Sequence, residues 1–259
     1  MSHPENHSPL ISLDGVGMTY RGAVPALEGV TCAVHEGEFV SLVGPSGCGK
    51  STLLRIVAGL VEPTGGRATV MDEPPRQARR RLRLSFVFQD ATLLPWRNAE
   101  RNVALPLELA RVSGADRDRR SRDALHQVGL ADFARHRPGE LSGGMRMRVS
   151  LARALVTDPR LILLDEPFGA LDDMTRQTLN EELLGLWRQR SWTALFVTHN
   201  ISEAAFLSTR IIVLSARPGR IVADVPVPFT GTRSPDLRSE PDFARFVGRV
   251  GRLLREGRA

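Results

Sequence analysis

Short apolar runs with β-branched or aromatic members are the clearest pattern along this chain. Such runs, bounded by polar residues or glycine, are typical of strands that are buried on both faces of a parallel sheet. They lie at, or begin at, residues 10–13, 30–34, 39–43, 84–88, 161–164, 194–198 and 211–214. Segments with helical spacing separate several of them, so the pattern predicts an α/β fold.

The middle and the end of the chain depart from this pattern. Between residues 90 and 151 strand runs are absent, and apolar residues recur at helical spacing among many charges, as at residues 103–112 and 117–128. After Pro226 turn residues are frequent, and residues 243–254 have the spacing of a basic amphipathic helix.

These changes define the expected domain boundaries. We expect one large domain over residues 8–227, with a sheet-forming core at residues 8–90 and 152–227. A helical subdomain is expected to be inserted at residues 91–151. A C-terminal extension should follow over residues 228–259.

Composition narrows the class of protein. The chain has 259 residues, of which 42% are hydrophobic, enough for a sizeable core. No run of about 18 apolar residues that could span a bilayer occurs, and residues 1–9 are polar without an apolar signal core, so secretion is not expected. The two cysteines, Cys32 and Cys48, do not suggest a disulfide framework.

The positive charge of the chain comes almost entirely from arginine. The formal net charge is +6, and Lys50 is the only lysine among 35 basic residues. Clusters at residues 76–83 and 117–122 suggest either a surface for nucleic acid or anionic lipid, or an ordinary solvated face. Acidic residues interleave with the second cluster, which favours a solvated helix.

A glycine loop with the pattern G-x-x-x-x-G-K-S lies between a predicted strand and a predicted helix at residues 51–60. Its glycines allow backbone N–H groups to turn toward phosphate oxygens at a helix N-terminus. A chance glycine-rich turn is the alternative. The position of the only lysine favours a phosphate site, because such a site needs a compact point charge rather than a planar guanidinium. Nucleotide contacts are expected from Gly44, Pro45, Ser46, Gly47, Cys48, Gly49, Lys50, Ser51 and Thr52.

Two carboxylates follow the apolar run at residues 161–164. The carboxyl ends of strands in α/β sheets are where ligands bind. We expect Asp165 and the Ser51 hydroxyl to hold Mg²⁺, and Glu166 to polarise the attacking water as general base. A surface acidic pair is the alternative.

The segment LSGGM at residues 141–145, followed by RVSLARAL at 148–155, resembles the signature motif of ABC-type ATPases. The other motifs of that superfamily occur in the expected order and are represented by Tyr20, Gln89, Asp172 and His199. The resemblance covers about residues 10–225. The resemblance implies a P-loop, RecA-like ATPase core with an antiparallel β edge and an inserted helical subdomain. It also implies ATP and Mg²⁺ as the bound groups.

The same resemblance implies roles for these residues. Tyr20 is expected to stack on adenine, although a core aromatic is the alternative reading. Gln89 is expected to contact Mg²⁺ or the attacking water. His199 is expected to steady the γ-phosphate, with a structural histidine as the alternative, and Asp172 is expected at a dimer interface.

A head-to-tail pair of ATPase subunits is also implied. Ser142, Gly143 and Gly144 are expected to bind the γ-phosphate of ATP held by the other subunit, through backbone N–H groups at a helix N-terminus. An identical copy is the expected second subunit, with a different ATPase subunit as the alternative. ATP should favour the closed pair, and hydrolysis should release it.

The branch of the superfamily is indicated by residues 86–97, by residues 168–172 and by LSARPGRI at 214–221, which are similar to importers of nitrate, sulfonate and taurine. The resemblance implies permease subunits as membrane partners, an indirect role for a periplasmic or extracellular solute-binding protein, and a peripheral position on the cytoplasmic side of the inner membrane. Nucleic acid is not expected as a partner. The candidates for permease docking, with subdomain core as the alternative, are Leu93, Leu94, Pro95 and Trp96.

Two departures and two alternatives remain. Met147 stands where the family usually has glutamine, and Asn200 follows His199 where aspartate is usual. An exporter or regulatory ATPase would share these motifs. A soluble ATPase acting on DNA or ribosomes is disfavoured, because the gap from Gln89 to Ser142 is short, metal-binding cysteines are absent and one motif set is present.

Overall fold

The structure is a computed structural model that describes residues 8–20, 25–190 and 192–257. Among these residues the strands are β1 (Ile11–Met18), β2 (Leu27–Val34), β3 (Phe39–Val43), β4 (Gly65–Val70), β5 (Leu84–Val87), β6 (Leu161–Asp165), β7 (Thr193–Val197), β8 (Arg210–Leu214) and β9 (Ile221–Pro226). The helices are α1 (Lys50–Val57), α2 (Pro75–Arg80), α3 (Ala99–Leu109), α4 (Gly114–Gln127), α5 (Gly143–Leu155), α6 (Asp173–Arg190), α7 (Ile201–Leu207) and α8 (Pro241–Glu256). Short 3₁₀ turns lie at Ala131–Phe133, Pro138–Glu140 and Pro235–Ser239.

The chain divides into two compact units, the first formed by Met1–Arg81 and Trp192–Ala259 and the second by Leu82–Ser191. The second unit is larger than the helical subdomain expected at residues 91–151, because it also contains β5, β6 and α6. The assignment of residues 91–151 as a functional subdomain stays a prediction.

Two sets of strands form the first unit. β1 lies between β2 and β4 and is antiparallel to both. β3 is parallel to β7 and β8, with Ser41 opposite Phe196 on one side and Ile211 on the other, and β9 is antiparallel to β8. Every residue of β3 and β7 is buried, which explains their unbroken apolar sequences.

The second unit combines a parallel pair of strands with helices. β5 and β6 run parallel, with Leu84 opposite Leu161. α3, α4 and α5 contact one another, and α5 also contacts β5. α3 begins at Ala99, earlier than its apolar spacing predicts, because the Asn98 side chain caps it by accepting a hydrogen bond from the Arg101 N–H at 2.9 Å.

Charges on the arginine clusters are partly balanced within the chain. Arg119 pairs with Asp116 and with Asp123 on its own helix, and Arg81 pairs with Glu73. These pairs support the solvated-face interpretation. Among the described residues no helix has the length and apolar character needed to cross a membrane.

The predicted C-terminal helix exists as α8, and its apolar face packs on the first unit. Phe243, Phe246 and Val250 are buried, and the ring of Phe229 lies 5.5 Å from that of Phe243 and 5.6 Å from that of Phe246. α8 contacts α7, β8 and β9.

Two arginines of the extension hold the C-terminal end of α7. The buried Arg233 donates to the Phe206 carbonyl at 2.7 Å and to the Phe229 carbonyl at 2.8 Å. Arg238 lies over the Phe206 ring at 3.7 Å. Because the last carbonyls of a helix lack intrahelical partners, Arg233 satisfies a group that would otherwise be buried and unpaired.

We predict that Arg233→Ala lowers the free energy of unfolding by about 1–3 kcal/mol, the usual loss when a buried acceptor loses its donor. Urea denaturation of the full chain measures this change. Arg249→Ala, an exposed arginine of α8, is the matched control and should change the free energy by less than about 0.5 kcal/mol. Equal effects of the two substitutions would contradict the anchoring role.

Candidate functional site

The glycine loop connects β3 to α1 in the first unit and requires glycine for two different reasons. Gly47 and Gly49 have positive φ values of 77° and 100°, where other residues are strained. A Cβ on Gly44 would lie 2.7 Å from the Cys48 sulfur, and a Cβ on Gly49 would lie 2.7 Å from the Ala26 carbonyl oxygen. The loop therefore combines unusual backbone angles with close contacts to neighbouring segments.

Lys50 is held inside this loop. Its ammonium donates to the Gly44 carbonyl at 2.8 Å and to the Pro45 carbonyl at 2.9 Å, and the residue is only 5% exposed. A buried cation beside a ring of backbone groups at a helix N-terminus is suited to bind phosphate. Burial raises the pKa of the neighbouring Cys48 thiol, although the charge of Lys50 opposes that rise.

A cavity of about 250 Å³ opens beside the loop. The Tyr20 hydroxyl shares a hydrogen bond of 3.3 Å with the Thr52 hydroxyl, and Tyr20 is 38% exposed. This partial exposure argues against the core-aromatic reading. The residues that face the cavity include Tyr20, Gly47, Lys50, Ser51, Thr52 and Arg217.

His199 follows β7 and lies between two anchored residues. The buried Thr198 hydroxyl accepts a hydrogen bond from the Asn200 N–H at 3.0 Å and donates one to the Glu203 carboxylate. The Asn200 side chain accepts from the Glu203 N–H at 3.1 Å and caps α7. Asparagine and aspartate are equally good caps, so asparagine in place of the family's aspartate at position 200 keeps the local structure. His199 itself is exposed.

In the second unit, β6 delivers Asp165 and Glu166 at its carboxyl end. Asp165 is 9% exposed, and Glu166 has a positive φ of 44°, an uncommon angle for a residue with a side chain. A Cβ placed on Gly169 would lie 3.7 Å from both the Gln89 amide nitrogen and a Glu166 carboxylate oxygen. The structure thus brings the side chains of Gln89 and Glu166 to one place.

The signature segment begins α5. The Ser142 hydroxyl accepts from the Met145 N–H at 3.2 Å and caps the helix. A Cβ on Gly144 would lie 2.9 Å from a methyl carbon of Thr175, so α5 approaches α6 closely there. Ser142 is exposed, whereas Met147 is buried in the unit core.

Asp172 caps α6 in a similar way. Its carboxylate accepts from the Thr175 N–H at 3.0 Å, and this bond lowers the pKa of Asp172. The residue is exposed, as is the neighbouring Met174.

An apolar groove of about 300 Å³ lies elsewhere in the second unit. The rings of Phe86 and Phe88 stack in it at 4.3 Å, and Leu109 beside them is 75% exposed. Other residues that line it are Leu82, Leu84, Leu105 and Arg153. Of the predicted docking residues, Leu93 and Leu94 are half-buried and Pro95 is exposed, while Trp96 is 70% exposed.

Two residues to which the sequence assigned no individual role fix the loop at residues 91–98. The buried Asn102 accepts from the Leu94 N–H at 2.7 Å and donates to the Leu94, Arg97 and Asn98 carbonyls. Arg153 donates to the Ala91 carbonyl at 2.7 Å, and burial lowers its pKa. Neither contact could be deduced from spacing, because each joins residues of different elements or loops.

A glycine loop between a strand and a helix is the feature that defines a P-loop nucleotide-binding protein. The chain has this loop after β3, and it also has the carboxylates of Asp165 and Glu166 at the end of β6. Comparison with known families makes this more specific. The family model described as ABC transporter matches residues 27–169. The taurine import ATP-binding protein TauB of Burkholderia pseudomallei is 44% identical over 245 residues, covering 91% of this chain and 92% of the relative. TauB of Yersinia pestis is 41% identical over 256 residues, covering 95% of this chain and 98% of the relative.

Solved structures agree with this assignment. A dimeric post-hydrolysis state of the ATP-binding cassette MJ0796 bound to ADP and Pi matches with a TM-score of 0.75 and 35% identity, over 84% of this chain and 98% of that chain. The structure of cbiO1 from Clostridium perfringens shares the fold, with a TM-score of 0.79 at 23% identity, over 96% of this chain and 100% of that chain. The chain belongs to the ABC transporter family, and the predicted ABC-type ATPase with its α/β fold is confirmed.

We predict that Gly49→Ala is more destabilising than Gly47→Ala. Both positions have positive φ, which costs about 1–2 kcal/mol for alanine. Only Gly49 also has a backbone oxygen and a leucine methyl group 2.7 Å from the added Cβ, whereas nothing lies within 4 Å at Gly47. Urea denaturation should give at least about 1 kcal/mol more loss for Gly49→Ala; equal losses would contradict the close contact.

Proposed function

We propose that residues 44–52 bind the phosphates of ATP and that Glu166 is the general base for its hydrolysis. The observation that supports this most strongly is the cavity beside Lys50, Ser51 and Tyr20. The water oxygen would attack the γ-phosphorus while the bond to the bridging oxygen of ADP breaks, and Glu166 would accept the proton of the water.

Magnesium would be bound by Ser51, Asp165 and Gln89. The described residues contain no group of three or more His, Cys, Asp or Glu side chains that could hold a metal ion. In nucleotide sites Mg²⁺ is held by one or two carboxylates together with phosphate and water oxygens, and Asp165 would supply that carboxylate beside the side-chain oxygens of Ser51 and Gln89. When bound, Mg²⁺ would neutralise charge on the phosphates.

The remaining motif residues would act on the γ-phosphate. His199, exposed after β7, would donate to it, and Gln89 would orient the water. Ser142, Gly143 and Gly144 lie at the start of a long helix and would bind the γ-phosphate of a second copy, with Asp172 at the interface. A dimer is supported by the related cassette MJ0796, whose structure is dimeric.

We predict that Glu166→Gln binds ATP normally but hydrolyses it at least about a hundredfold more slowly than the unchanged chain, because the amide cannot accept the proton. A phosphate-release assay and a binding titration measure the two quantities. Glu181→Gln, which changes a carboxylate of α6, is the control for loss of charge. Near-normal turnover by Glu166→Gln would show that Glu166 is not the base.

We further propose that the chain powers the import of taurine or a related small sulfonate. The chain itself would lie on the cytoplasmic side of the inner membrane. The full-length similarity to taurine import ATP-binding proteins supports this choice of substrate. Permease subunits would be the direct membrane partners, and a solute-binding protein would act through them. The apolar groove with Leu109, together with the exposed Trp96, offers a surface for short permease helices.

We predict that Trp96→Ala with Leu109→Ala reduces recovery of a permease by about tenfold or more, because both large exposed apolar side chains would be buried on docking. The tagged chain is recovered with ATP from gently solubilised native membranes, and multi-span partners are identified by mass spectrometry. Val222→Ala, an exposed apolar residue of β9, should recover as much permease as the unchanged chain. Equal recovery by the double variant would contradict docking there, and recovery only with ribosomes or nucleic acid would contradict transport.

A further inference from the structure

The turn between β8 and β9 is docked directly on the glycine loop. The Gly219 N–H donates to the Ala26 carbonyl at 3.0 Å, and the Gly219 carbonyl accepts from the Glu28 N–H at 3.1 Å. A Cβ on Gly219 would lie 2.1 Å from the Cys48 carbonyl oxygen, so only glycine allows this approach. The turn therefore has a fixed position relative to the phosphate loop.

This docking places Arg217 at the cavity beside the loop. Its side chain lines the same cavity as Tyr20 and Lys50, although it comes from a distant part of the sequence. The Arg217 Nε donates to the carbonyl of Pro25, which follows Tyr20 by five positions in the sequence, at 3.4 Å. Arg217 is exposed where it lines this cavity.

We propose that Arg217 is a nucleotide-binding residue that contacts the base and ribose end of ATP. This inference rests on the proposed binding of ATP in the cavity. Arg217 lines the same cavity as Tyr20, the residue expected to stack on adenine, and its hydrogen bond to Pro25 fixes its Nε. Lys50 also lines the cavity and lies inside the glycine loop, whose backbone N–H groups would surround the phosphates.

The chemistry of the guanidinium suits this position. It is planar and weakly hydrated, so that it stacks on aromatic rings in a way that an ammonium does not. A purine could thus contact the Tyr20 ring and the Arg217 guanidinium together. The contact would add affinity for the base without adding a charge to the phosphate loop.

Full-length variants and two ligands test this proposal. A non-hydrolysable ATP analogue carries the base, whereas inorganic tripolyphosphate carries only the phosphates. Calorimetric titration should show Arg217→Ala binding the analogue about three- to thirtyfold more weakly, the range expected for a cation–π contact, with tripolyphosphate affinity unchanged. Arg217→Lys should lose nearly as much, because it keeps the charge but not the planar group.

Arg220→Ala is the matched control. Arg220 lies in the same turn, is exposed and pairs with Glu28 at 2.8 Å, but it does not line the cavity. It should bind both ligands as the unchanged chain does, since exposed ion pairs contribute little.

Three results would overturn the assignment of Arg217. These are unchanged affinity of Arg217→Ala for the analogue, an equal loss for analogue and tripolyphosphate, or full affinity of Arg217→Lys. The second would indicate a phosphate contact, and the third would show that charge alone, rather than planar stacking, carries the interaction. If the unchanged chain bound neither ligand, the proposed ATP site itself would fail, which is a separate outcome.

Discussion

Close backbone contact around the phosphate loop is the constraint on which the first unit depends. Gly44 and Gly49 allow the loop to approach β8 and the start of β2, and Gly219 allows the β8–β9 turn to meet Cys48. These contacts align three segments that are distant in sequence. Because each leaves no room for a Cβ, the geometry that holds Lys50 and the cavity depends on glycine at these positions.

Strands buried on both faces, such as β3, β6 and β7, could be predicted from the sequence because burial selects continuous apolar runs. The elements β4, α2 and β9 lack such a run and could not be predicted in this way. β4 is mostly exposed, contains two glycines and becomes a strand only by pairing with β1. α2 is short and buries only Ala78, and β9 alternates in burial although its sequence, IVADVP, does not alternate apolar and polar residues.

The glycine loop could be named from the sequence because phosphate chemistry requires particular residues at fixed spacing, whereas Tyr20, Gln89 and His199 could be named only from the family resemblance. Residues that support them could not, since their roles depend on tertiary contacts. Arg217 reaches the cavity because its turn docks on the loop, Asn102 acts through carbonyls of a neighbouring loop, and Arg233 satisfies the end of α7. The expected docking segment at residues 93–96 included the exposed Trp96 but none of the residues that line the apolar groove.

Taurine uptake is the measurement that most directly tests whether ATP bound at this loop drives sulfonate import. Cells lacking the gene for this chain would be given the unchanged chain or Lys50→Ala, at equal expression, and accumulation of labelled taurine would be followed. We predict that the unchanged chain restores uptake and that Lys50→Ala does not, because the buried ammonium of the phosphate loop is lost. Uptake that is unaffected by the deletion, or restored equally by Lys50→Ala, would contradict the proposed function.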